Sequence, residues 1–161
     1  MNICEFCKEI EIRSNIIYED EDFAVFLIQK AVAEGHCVIV PKKHYMIFEQ
    51  VSDKLLFKLG GVVNLITKKL LSELQITGTN IFVRNGIAAG QEVAHFAVHI
   101  IPRNNDDGIE ISWEGKTYPE DAIKKDQIAI KENIKDPEMV SVKKNIDSKE
   151  NYLYEQLNRK P

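Results

Sequence analysis

With 161 residues, 44% of them apolar and 29% charged, the chain has the composition of one ordinary globular domain carrying appendages. A formal net charge of −4 supplies no global basic field for capturing nucleic acid, so any phosphate site must be local. No apolar run approaches the roughly 20 residues that span a bilayer, and charges interrupt any signal-like core between Met1 and Glu11, so no membrane partner is implied and a cytoplasmic protein is expected.

Cys4 and Cys7 come first, a C-x-x-C pair that serves zinc, redox chemistry or neither. Three cysteines in a cytosolic chain do not suggest a disulfide framework. Cys37, inside the apolar run Cys37-Val38-Ile39-Val40, reads as a small buried hydrophobe. Ile16-Ile17-Tyr18 and Asp22 to Ile28 read as the strands of a hairpin turned by the acidic stretch from Glu19 to Asp22. Gly35 opens a third strand, His36 to Val40, which Pro41 closes because it has no ladder donor; Pro41 to His44 is a loop. From Ser52 to about Gln75, apolar residues at 55, 56, 59, 62, 63, 66, 70 and 74 have helical spacing, with Ser52 as N-cap. Gly60-Gly61 inside that helix reads as a place of close packing against a neighbour. Gly78 ends it.

Thr79 to Asn85 and Ala94 to Ile101 are two more strands. The segment Gly86-Ile87-Ala88-Ala89-Gly90-Gln91 between them is too long for a tight hairpin, and such loops usually serve function. Past Arg103 the chain becomes charged, with a turn cluster from Asn104 to Gly108 and helices expected around Tyr118 to Ile134 and Ser148 to Leu157. The expected fold is α+β, an antiparallel sheet with one main helix in residues 1–103, followed by an extension in residues 104–161. That extension is either a solvated tail or a lid or dimer arm carrying Trp113.

All four histidines, His36, His44, His95 and His99, lie in segments around the glycine loop. Strand alternation puts His95, Ala97, His99 and Ile101 on one face and Phe96, Val98 and Ile100 on the other, a stripe for a site and a stripe for a core. Asn85-Gly86, Gly90-Gln91 and then His95-Phe96-Ala97-Val98-His99-Ile100-Ile101-Pro102-Arg103 resemble the signature of the histidine-triad superfamily of nucleotide hydrolases and transferases. Cys4-Glu5-Phe6-Cys7 and Gly35-His36 leading to Pro41-Lys42-Lys43-His44 fall in matching order.

The resemblance implies a nucleotide partner, an adenosine mono- or dinucleotide, and hydrolysis of phosphoramidates or dinucleoside polyphosphates through attack of the middle histidine on the α-phosphorus. Ala97 occupies that nucleophile position. His99 would hydrogen-bond the phosphate, Gln91 and the amides of the loop through Gly90 would hold its oxygens, and Asn85 would position the ribose or phosphate edge. The segment Phe26-Leu27-Ile28 ordinarily ends in an aspartate that accepts both ribose hydroxyls; Ile28 cannot, so Gln29 substitutes or the ligand is held differently. Cys4, Cys7, His44 and His95 resemble the family's structural Cys₂His₂ zinc set, leaving His36 as a structural hydrogen-bonder, and the family implies a homodimer. Two origins of Ala97 stay open: a deliberate His→Ala change, favoured by the intact Asn85, Gly90, Gln91, His95 and His99, or a natural relative that binds nucleotides without cleaving them. A purely structural, partner-binding domain is the third reading.

Overall fold

The computed structural model describes residues 4–132 and residue 134. It is α+β. In chain order come α1 (Glu5–Ile12), β1 (Ile16–Glu19), β2 (Phe23–Leu27), β3 (Cys37–Pro41), a 3₁₀ turn at Phe48–Gln50, α2 (Asp53–Glu73), β4 (Gly78–Phe82), a 3₁₀ turn at Ile87–Ala89, β5 (Val98–Arg103) and α3 (Glu120–Lys131). The strands form one antiparallel sheet in the order β1-β2-β3-β5-β4. The described residues fall into two units, one up to Tyr118 and one from Pro119. In the second, α3 follows Pro119 with Glu120 and Asp121 in its first turn and Lys131 in its last, the charge order a helix dipole favours. The helix expected from Ser148 to Leu157 lies outside the described residues. No helix among the described residues is long and apolar enough to cross a membrane.

β2 and β3 are buried on both faces, so each contributes to two apolar layers. On one side Phe23, Val25, Ile39, Phe96, Val98 and Ile100 meet Leu59, Val62, Ile66 and Leu70 of α2. These α2 residues recur at three and four positions, the stripe a helix presents to a core. On the other side Ala24, Phe26, Val38, Val40 and Ala97 form a thinner layer covered by Phe6 and Ile10 of α1. Gly60 and Gly61 do not mark close packing within the chain, since a Cβ at either would meet nothing within 4 Å. Ser52 stands at the N-cap of α2, but its backbone carbonyl, rather than its hydroxyl, receives the Leu55 and Leu56 amides.

The strand expected from Ala94 begins only at Val98. Its ladder with β3 runs from Cys37↔Ile100 to Ile39↔Val98 and stops. Pro41, at the end of β3, has no N–H with which to continue pairing. The Pro41 carbonyl instead accepts the His95 Nε2–H at 2.9 Å, and the Phe96 amide donates to Tyr45 O at 2.6 Å. The face alternation survives without the ladder: Phe96 and Val98 join the α2 layer and Ala97 the opposite one.

Gly35, between β2 and β3, has φ +77, and a Cβ there would collide with Leu74 Cδ1 and lie 3.3 Å from Pro102 Cγ. Leu74 is partly exposed and can swing aside, so the left-handed backbone is the larger obstacle. Gly35→Ala is expected to lower stability by about 1–2 kcal/mol, measured by urea unfolding; an unchanged midpoint would show that the turn tolerates a side chain.

Candidate functional site

A cavity of about 610 Å³ opens in the first unit, lined by Ile28, His36, Arg84, Ala97, His99 and Ile101 among others. β3 and β5 bring the histidines together, because Val38 pairs with His99 and His36 immediately precedes β3. The Val32 N–H donates to His36 Nδ1 at 3.3 Å, so that nitrogen carries the lone pair and His36 Nε2 the proton. His36 Nε2 lies 3.2 Å from His99 Nδ1. The proton inventory then continues: His99 Nδ1 accepts, and His99 Nε2–H is left as a donor.

Both rings are neutral at physiological pH. Burial pushes the His99 imidazole down to about 4, helped by His36 and by the Arg84 guanidinium. Burial, and then Arg84, also lower His36. Positive charge in this part of the cavity therefore comes from Arg84, with Lys30 also on the lining. Sequence reasoning missed Arg84. Its only signal was its place next to Asn85, which does not distinguish it from an exposed strand-end residue.

Ala97 is 8% exposed and belongs to the thinner apolar layer, against which Ile28 and Phe6 also pack. The two positions that depart from the histidine-triad pattern therefore share one hydrocarbon patch. Phe26 lies beneath that patch, buried and edge-to-face with Phe6 at a centroid distance of 5.6 Å.

The polar side chains of the loop are engaged within the protein. Gln91 lies on the cavity lining, yet its amide donates to Met46 O (2.7 Å) and Val93 O (2.9 Å), while its oxygen accepts the Gly86 N–H (2.8 Å). Asn85 accepts the Phe48 N–H at 2.9 Å and donates to both oxygens of Glu49 at 2.8 and 2.9 Å. Gly86 (φ +88) and Gly90 (φ +79) take backbone angles that favour glycine, which lets the loop double back so that the Gln91 amide reaches Gly86 O.

Cys4, Cys7, His44 and His95 come together beside the cavity, with all four ligand atoms within 4.8 Å of one another. Cys4 Sγ and Cys7 Sγ each lie 3.5 Å from His95 Nδ1, and Cys7 Sγ lies 3.3 Å from His44 Nδ1. For a tetrahedral zinc with bonds of about 2.3 Å to sulfur and about 2.05 Å to nitrogen, the sulfur-to-nitrogen edge is about 3.6 Å. The donor set fits that ion. The bond from His95 Nε2–H to Pro41 O leaves Nδ1 unprotonated toward the sulfurs, the orientation that an outer hydrogen bond gives a metal-bound histidine.

A HIT domain family model matches residues 9–106. The chain is similar to an uncharacterised HIT-like protein of Methanocaldococcus jannaschii, 43% identical over 109 residues that cover 66% of this chain and 83% of the relative. It is also similar to the adenosine 5′-monophosphoramidase of Saccharomyces cerevisiae, 31% identical over 125 residues, 76% of this chain and 77% of that one. Among solved structures, a HIT family member from Bacillus subtilis superposes with a TM-score of 0.76 at 30% identity, covering 85% of this chain and all of its own.

Because the His99 imidazole is depressed on folding, the folded state binds fewer protons than the unfolded one as pH falls. The stability it contributes is complete above the ordinary value of 6.5 and is lost toward about 4. Between about pH 7 and about pH 5, before most carboxylates titrate, the native protein should lose more thermal stability than His99→Asn. Equal losses would contradict a buried neutral His99.

Proposed function

The chain belongs to the HIT domain family, and on that premise we propose that residues 4–118 bind a nucleoside monophosphate in the cavity beside β5 and do not cleave it. The observation that carries this reading is the methyl group of Ala97 in a patch shared with Ile28, beneath a cavity that still holds a histidine donor and a guanidinium. His99 Nε2–H is a fixed donor for a phosphate oxygen, and Arg84 supplies charge that the neutral histidines do not. A methyl group can neither attack phosphorus nor carry a proton. Loss of a covalent nucleophile costs on the order of 10⁴-fold or more in rate.

One observation favours a second reading, that of a hydrolase inactivated at one position: the Val32–His36–His99 hydrogen-bonded chain runs unbroken to the cavity and leaves His99 Nε2–H as a donor there. Adenosine phosphoramidate separates the two. The present chain should bind AMP by calorimetry and release none from the phosphoramidate. If Ala97→His releases AMP, the remaining machinery is that of a hydrolase of phosphoramidates or mixed anhydrides. If it only binds, the chain is a nucleotide-binding protein throughout. Absence of AMP binding by the present chain would sink both.

We further propose that Cys4, Cys7, His44 and His95 hold one structural zinc ion. In support, α1 buries no residue fully, and its apolar attachment to the sheet rests on Phe6 and Ile10. A metal tying Cys4 and Cys7 to the strand-end histidines would fix this helix, and its chemistry there would be structural, with every position taken by protein. Protein purified without chelator should contain one zinc per chain by elemental analysis, and Cys7→Ser or chelation should lower the melting temperature by several degrees. A metal-free chain with the same melting temperature would refute the site.

A further inference from the structure

Arg103 ends β5 with its guanidinium fully engaged. Its Nε and Nη2 grip the two oxygens of Asp107 at 2.6 and 2.9 Å, Nη1 donates to Asn80 Oδ1 on β4, and Nη2 also donates to the Ile109 carbonyl. Asp107 accepts in turn the amides of Asn104 (3.1 Å) and Ile109 (2.9 Å). Ile109 is thus held at both its N–H and its C=O. Beyond it Ile109 and Ile111 are half-buried while Glu110 and Ser112 are exposed, the alternation of an extended segment.

This segment lines the cavity. Ile109, Glu110 and Ile111 lie on its lining, as does Val32. Val32 and Ile109 also line a second cavity of about 300 Å³, so together they form the partition between the two. Val32 is the residue whose N–H sets the His36 tautomer. The larger cavity therefore presents the aliphatic side chains of Val32, Ile109 and Ile111, with Glu110 and Lys30 also on the lining, while Arg84 and the His99 donor provide for an anion. A nucleoside monophosphate has the same division: a planar base with apolar faces and a charged phosphate.

We propose that Ile109 and Ile111 are specificity-determining residues of this pocket, forming with Val32 the wall that receives the base, and that the Arg103–Asp107 clamp positions them. The proposal rests on the nucleotide-binding reading above. A half-buried bidentate ion pair suits the role, since it holds a backbone geometry that an unpaired extended segment cannot hold by itself.

The test compares AMP with ribose 5-phosphate, which lacks the base, on the full chain. Calorimetry gives affinities, and Trp113, the chain's single tryptophan and 82% exposed just past Ile111, reports locally by fluorescence. The native chain should prefer AMP by about tenfold or more. The double variant Ile109→Ala, Ile111→Ala should lose most of that preference by weakening AMP alone, and Asp107→Asn should do the same through the clamp. Should Asp107→Asn fail to fold, the double variant, which leaves the clamp intact, decides. Equal weakening of both ligands, or no weakening of AMP, would overturn the wall. A native chain that binds both ligands equally overturns it while leaving a phosphate site standing; one that binds neither removes the nucleotide reading itself.

Discussion

The bond from the His95 ring to the Pro41 carbonyl organises the functional half of the molecule. Pro41 stops the β3–β5 ladder for want of an N–H, and the carbonyl it leaves at the sheet end is a buried acceptor that needs a partner. His95 supplies it at 2.9 Å. In doing so it fixes which ring nitrogen faces Cys4 and Cys7 and, together with the Phe96 N–H that donates to Tyr45 O, holds the run before β5 beyond the end of the ladder. The Cys₂His₂ grouping and the cavity lining at Ala97 both adjoin that hydrogen bond.

Electrostatics divides the neighbourhood in the same way. His95, His36 and His99 are all pushed below their ordinary values first by burial, so each acts through a defined lone pair and a defined N–H rather than through charge. Charge is delegated to residues nearer solvent. Arg84 reaches Glu92 at 3.3 Å, an exposed pair worth little to stability. A guanidinium so weakly committed can turn to an incoming anion at little cost.

What could be read in the sequence follows the range of the physics. Period-two and period-3.6 patterns report which face meets a core, and they placed Phe96, Val98 and Ile100 opposite Ala97, and Leu59, Val62, Ile66 and Leu70 on one stripe of α2, as found. The Cys₂His₂ grouping was legible from the family's order of motifs, and the four side chains do converge. Long-range backbone accounting was not legible. That the ladder ends at Val98 depends on Pro41, far away in sequence, and that Asn85 and Gln91 spend their amides on Glu49, Met46 and Val93 depends on where the loop after β3 lands. Neither Arg84 nor Ile109 carries a local signal, since strand-end arginines and isoleucines in charged tails are ordinary; the cavity alone singles them out.

The two departures from the histidine-triad pattern gain meaning from their shared surroundings. A histidine at 97 would carry an imidazole from the apolar layer of Ala24, Phe26, Val38 and Val40 toward the cavity that Ala97 lines, and whatever part of the polar ring stays against that layer without a partner is costly. A catalytic site sustains that cost because turnover requires it, and such sites commonly trade stability for activity. Ala97 removes the cost, and Ile28 extends the apolar patch beside it. A nucleophile lost by itself would leave the rest of a catalytic pocket unchanged, whereas here the neighbouring wall is hydrocarbon as well. The geometry that remains is a pocket with an apolar patch at Ala97 and Ile28, with His36 and His99 hydrogen-bonded to each other, and with a guanidinium on its lining. Those features support the reading of a pocket that holds a phosphate ester without breaking it.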